Sequence, residues 1–193
     1  MKYYFVFFIS LLFSLVSFAQ SKPAVALTDG ATLLFKNTKS KLTNIEKNWL
    51  FKQLQFTLSK DKKQFMSDEF VVTVAPYVTD VNKDAVEEVF IVMQSTALFG
   101  NIGESFYMFI KNMAGNFEMQ PELGGGIAMI LHTKNMGYPD IGIGGPGFEF
   151  PSYRWDGKKY KPFKKIKDAD LQSGKIKYMN PDECSKLYTE TLK

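Results

Sequence analysis

From Phe70 onward the chain alternates short apolar runs with glycine-rich breaks, and few folds tolerate that rhythm. The runs are Phe70–Val74, Val86–Met93, Ser105–Ile110, Phe117–Met119, Ile127–Leu131, Tyr138–Ile143, Pro151–Trp155, Lys159–Phe163 and Lys175–Met179. They are rich in β-branched and aromatic residues and too short for ordinary helices, so they read as strands. Gly115-Asn116, Gly124–Gly126, Gly137, Gly144-Gly145-Pro146-Gly147 and Ser173-Gly174 punctuate them, and Asp156-Gly157 is a tight-hairpin dipeptide. Phe70–Val74 and Val86–Met93 are apolar on both faces, as central strands are, with Pro76 ending the first. Pro151–Trp155 puts Tyr153 and Trp155 on one face.

Two helices bracket this β region. Thr43 and Glu46 form a capping box that starts a helix over 44–54. It is not extended to Leu58, because Phe56 falls with Ile45 and Trp49, opposite Leu50, Leu54 and Leu58; a small hairpin over 55–66 follows instead. Before it, Thr32–Phe35 reads as a short strand. At the other end Asn180 caps a helix that begins at Pro181, with Asp182 and Glu183 at the positive end of its dipole. Cys184, Leu187, Tyr188 and Leu192 make one core-facing stripe there, which places the single cysteine in the core.

Residues 1–19 read as a cleavable export signal of bacterial type. Lys2 is followed by the apolar run Tyr3–Val16 and by Ser17-Phe18-Ala19, a signal-peptidase pattern. The run is shorter than the ~20 residues of a spanning helix, and no later segment is apolar enough to span a bilayer. The expectation is a periplasmic or secreted protein without a transmembrane segment once the signal is removed. Residues 20–193 then form one α+β domain, mainly antiparallel sheet, with one helix near the N-terminus and one at the C-terminus. One cysteine excludes a disulfide framework. Net charge is only +4, and of 24 basic residues Arg154 alone is arginine, which argues against nucleic acid as partner.

Two stretches, about 80–119 and 135–163, share a layout of polar loop, apolar strand, glycine loop, aromatic strand, tight turn and aromatic strand. The run Tyr138-Pro139-Asp140-Ile141-Gly142-Ile143-Gly144-Gly145-Pro146-Gly147 resembles the glycine-proline motif of FG-GAP and VCBS repeats, the blade units of integrin α-chains and many exported bacterial proteins. The resemblance implies blade-like β units, and the Asp80 run is similar to the family's calcium loop.

In that loop Asp80, Asn82 and Asp84 occupy alternate positions suited to a hard cation, with the Val86 carbonyl as a fourth ligand. Glu88 matches the family's closing carboxylate. Ala85 sits where glycine usually supplies the sharp turn, so a cation-free acidic turn is the competing reading.

Conventional catalytic sets are missing. His132 is the only histidine, and no nucleophile elbow, zinc-protease helix or phosphate loop occurs. Glu104, Glu118, Glu122, Asp140, Glu149 and Asp156 leave a carboxylate-dependent glycan hydrolase as the alternative to a binding protein. Two surfaces could bind. Phe148, Phe150, Tyr153, Arg154 and Trp155 form a recognition platform for a protein or glycan, unless Tyr153 and Trp155 are core. The lysines at 158, 159, 161, 164, 165 and 167 are either an anion-binding patch or the guard of an edge strand. The sequence therefore points to a non-enzymatic binding module of the envelope or exterior, with calcium as its candidate cofactor.

Overall fold

In the computed structural model, which describes residues 25–192, two antiparallel sheets carry most of the chain. The expected export signal lies outside the described residues. Strands β1 (Thr57–Leu58), β2 (Phe65–Ser67), β3 (Phe70–Thr79), β4 (Glu88–Gln94), β5 (Glu104–Lys111) and β6 (Phe117–Met119) form the first sheet, neighbour beside neighbour in chain order. The second contains β7 (Ile127–Asn135), β8 (Tyr138–Gly144), β9 (Glu149–Trp155), β10 (Tyr160–Lys167) and β11 (Tyr178–Met179), in the order β10-β9-β8-β7-β11. The helices are short: α1 (Asp29–Leu34), α2 (Asn44–Gln53), α3 (Thr96–Phe99), α4 (Asp168–Gln172) and α5 (Pro181–Thr191).

The unbroken apolarity of Val89–Met93 in β4 follows from its place between two layers. Val89, Ile91 and Met93 join Leu34, Leu50 and Leu54 in a core beneath α1 and α2. Phe90 and Val92, on the opposite face, meet Phe106 and Met108 of β5 and then Ile130, Ile141, Trp155 and Tyr160 of the second sheet. Each fully buried side chain of this size contributes about 2–3 kcal/mol through removal from water. Trp155 is fixed between Tyr138 and Tyr160, with ring centroids 4.6 and 5.4 Å away, and the Tyr160 hydroxyl donates to the Pro139 carbonyl at 2.8 Å. Beyond the second sheet, Met129, Leu131, Phe150 and Ile166 form a smaller core under Leu171 of α4 and Ile176. Gly142 makes that core possible: a Cβ there would lie 2.9 Å from Met129 Cε.

Both capping boxes form. Thr43 Oγ1 accepts from Glu46 N at 3.2 Å while Glu46 Oε2 accepts from Thr43 N at 2.7 Å, and Asn180 and Glu183 do the same for α5.

Four expectations are corrected. Thr32–Phe35 is not a strand: Thr32–Leu34 belong to α1 and Phe35 is its C-cap, Thr28 caps the other end by accepting from Ala31 N, and Gly30 leaves room for the Phe51 ring against the helix. Pro76 does not end its strand. From Thr73 onward β3 pairs only with β4, so the missing N–H costs no ladder bond on the open side. The first residues of that strand are not central, since Phe70 and Val71 are exposed beside the small β1–β2 hairpin. Helices also number more than the expected pair, because α1, α3 and α4 are four to six residues long, too short to show a helical periodicity in the sequence. No helix among the described residues is long and apolar enough to cross a membrane.

Candidate functional site

The loop between β3 and β4 curves tightly. Lys83 and Ala85 both adopt left-handed backbone, φ +65° and +68°. Ala85 therefore takes the conformation glycine would hold more cheaply, at a cost of about 1 kcal/mol. The two Asp80 carboxylate oxygens accept from Asp84 N at 3.0 Å and Ala85 N at 2.9 Å, and Asp84 Oδ1 accepts from Val86 N at 2.8 Å. The side chains do not converge as they stand. Asn82 Nδ2 donates to Asp84 Oδ2, and Glu88 is turned away into the fold, where it accepts from Val81 N at 2.9 Å and from the Tyr138 hydroxyl at 3.1 Å. Among the described residues no three His, Cys, Asp or Glu side chains are arranged to hold a metal ion. Glu88 is fully buried. Burial pushes its carboxyl up from 4.5 to about 8, reinforced by Asp84 and Asp80 and opposed by the Val81 and Tyr138 hydrogen bonds. The same surroundings raise the Tyr138 hydroxyl well above its ordinary value, burial first and Glu88 second.

The expected aromatic platform is divided between surface and core. Phe148 is 86% exposed, but Phe150 and Trp155 are buried and Tyr153 packs against the inter-sheet core. Strand alternation explains it: Tyr153 and Trp155 face the first sheet, while Phe150 faces the outer core. Arg154 is held by the fold. Its Nε and Nη2 donate to the buried Asp140 carboxylate at 2.9 and 2.8 Å, Thr133 Oγ1 donates to the same carboxylate at 2.6 Å, and the Phe163 ring lies 3.6 Å from the guanidinium carbon. The lysine-rich segment lies on β10, at the edge of the second sheet.

A site not anticipated from the sequence lies where α5 crosses the first strand of the second sheet. A cleft of about 700 Å³ has Ile130 and Leu131 of β7 as its floor and Met179, Cys184, Leu187 and Tyr188 as a wall. Thr79 at the end of β3, Asp80, Val81 and Lys83 of the loop after it, and His132 and Lys134 of β7 complete the lining. A second hollow shares His132, Met179 and Leu187 with it and continues toward Leu171 and Ile176. Leu187 corrects the helix-stripe reading: it is 56% exposed and stands over the cleft, while Cys184 on the same stripe is buried. Burial raises the Cys184 thiol to about 11, so it serves as a wall and not as a nucleophile at neutral pH. The three contributing segments lie up to a hundred residues apart, so only α5's apolar stripe could have hinted at the cleft.

None of the six acids considered for hydrolysis lines either hollow. Asp140 is committed to Arg154, Glu104 accepts from Gln94, and Glu118 accepts from Asn112. His132 is exposed at the cleft mouth, its backbone N–H bonded to Lys177 O. No family model matches this chain, and comparison with curated proteins and with solved structures likewise finds no match.

Proposed function

We propose that the chain is an exported, non-enzymatic binding module, and that it takes an apolar group of an envelope or extracellular molecule into the cleft beneath α5. The observation that carries this reading is the cleft itself: its walls from β7, Met179 and α5 are apolar, and its size lies within the ~300–1,000 Å³ of small-ligand sites. The exposed 148–163 aromatics are a weaker platform, because Arg154 is already paired. Leu187 offers a clean test, since a substitution at an exposed side chain leaves the core intact. Immobilised wild-type protein is expected to retain molecules from the producing cell's envelope, proteins and solvent-extractable compounds alike, that Leu187→Glu loses and Phe148→Ala keeps. Retention unchanged by Leu187→Glu, or abolished by Phe148→Ala alone, would move the site to the aromatic surface.

The blade-like reading of the two repeats belongs to the same proposal. What supports it is that residues 80–119 supply β4–β6 to one sheet and residues 135–163 supply β8, β9 and the start of β10 to the other, each as consecutive antiparallel strands.

Calcium would act at the rim of the cleft, as a structural ion of the Asp80 loop. The backbone curvature suits it, and Asp80, Asn82, Asp84, the Val86 carbonyl and Glu88 would hold it once Asn82 releases Asp84 and Glu88 releases Tyr138. Those two rearrangements set the affinity. At 100 times its dissociation constant the ion is expected to add about 2.7 kcal/mol of stability, read as a rise in melting temperature of chelator-stripped protein. An unchanged melting temperature at millimolar calcium would leave the loop a cation-free turn.

A further inference from the structure

We infer that the occupant of the cleft is a single-chain amphiphile with an anionic head, a free fatty-acid-like carboxylate. This deepens the cleft reading and rests on it. The walls decide the tail. Ile130, Leu131, Met179, Cys184 and Leu187 offer no strong hydrogen-bonding group, and the one ring among them, Tyr188, has its hydroxyl committed to Glu87 Oε1 at 2.9 Å. A hydroxyl-rich sugar would leave its polar groups unpaired against such a surface, whereas an alkyl chain loses only water.

The rim decides the head. Lys83 and Lys134 are both exposed and both line the cleft. Neither takes part in an ion pair among the described residues, in contrast to Lys165, Lys175 and Lys186. The one acid at this mouth, Asp80, has each carboxylate oxygen occupied by a backbone amide of the loop. Two free ammonium groups above an apolar trough are complementary to a carboxylate carried on an alkyl chain.

The test is a fluorescence titration with 11-(dansylamino)undecanoic acid, compared with its uncharged carboxamide. The expected result is saturable one-to-one binding of the acid at about micromolar concentration. Leu187→Glu is expected to weaken it tenfold or more, and the double variant Lys83→Glu/Lys134→Glu about tenfold, with the carboxamide changed less than twofold in the double variant. Circular dichroism verifies that each variant is folded. Equal binding of acid and carboxamide to the wild type would overturn the anionic head, and so would indifference of the acid to the double charge reversal. Failure of the acid to bind while Leu187→Glu still loses envelope ligands would overturn the amphiphile and leave the cleft in place, an apolar protein segment then being its occupant. If Leu187→Glu changes neither the titration nor envelope capture, the cleft reading and the amphiphile fall together.

Discussion

Replacing Arg154 with methionine is expected to destabilise the protein strongly, because it strands a buried carboxylate. Asp140 has no exposed surface, and three donated hydrogen bonds hold its charge, two of them from the guanidinium. Methionine keeps much of the side-chain volume and removes both of those bonds. Among the described residues the Thr133 hydroxyl would remain as the one side-chain donor to Asp140. Urea unfolding at neutral pH checks the magnitude, and the melting temperature should fall by about 10 °C. Adding Asp140→Asn should recover a large part of the loss, since the stranded charge is then gone. Arg154→Lys should fall between, because an ammonium cannot reproduce the fork that engages both carboxylate oxygens. A loss within about 0.5 kcal/mol would mean that Arg154 is an ordinary surface residue, as a recognition role would require.

The second large effect is on pH dependence. In chelator-treated protein, stability is expected to fall as pH rises from about 5 to 8, by about 3 kcal/mol. The sign follows from Glu88: its carboxyl titrates at 4.5 when unfolded and at about 8 in the fold, so between those values the folded state holds a proton that the unfolded chain has lost. Raising pH through that window therefore favours unfolding, and the contribution is complete below 4.5 and lost above 8. Glu88→Gln should flatten this slope while keeping an acceptor for Val81 N, and should be the more stable protein at pH 8. Calcium should flatten it as well, because a cation beside the carboxyl favours its ionised form. Stability that rises over the window, or a slope unchanged in Glu88→Gln, would show that Glu88 is solvated and charged.

The strand pattern, the turns and both capped helices were legible because each depends on residues within a few positions of one another. Short β-branched and aromatic runs, Asp-Gly and the two capping boxes act locally, and they survive in the fold. Features that depend on partners were not legible. Pro76 is tolerated because no strand lies on the open side of β3 there, and α1 forms because Leu34 and Phe35 can bury on α2 and the first sheet. The Asp140–Arg154 pair depends on the register of β8 against β9, where Ile141 faces Tyr153. Once that register is known the pair follows directly, and the platform residues divide into core and surface.

The Asp80 loop shows the same limit from the other side. Asp80, Asn82, Asp84 and the strained Ala85 were readable from spacing, yet the direction of Glu88 was set by Tyr138, fifty residues further along. The cleft was the least visible feature, since the loop, β7 and α5 become its walls only after both sheets have stacked. Leu187 is the residue where local and tertiary logic part: its spacing belongs to a core stripe, and the fold leaves it standing over the cleft.

The claim that this cleft is the binding site is tested most directly by methyl NMR of the methionines. Met179 lines the cleft, whereas Met113 and Met136 sit exposed at turns outside it. On titration with sodium dodecanoate, the Met179 methyl resonance is expected to shift saturably while those of Met113 and Met136 stay in place. A Met179 resonance that does not move, or shifts confined to Met113 and Met136, would contradict the account.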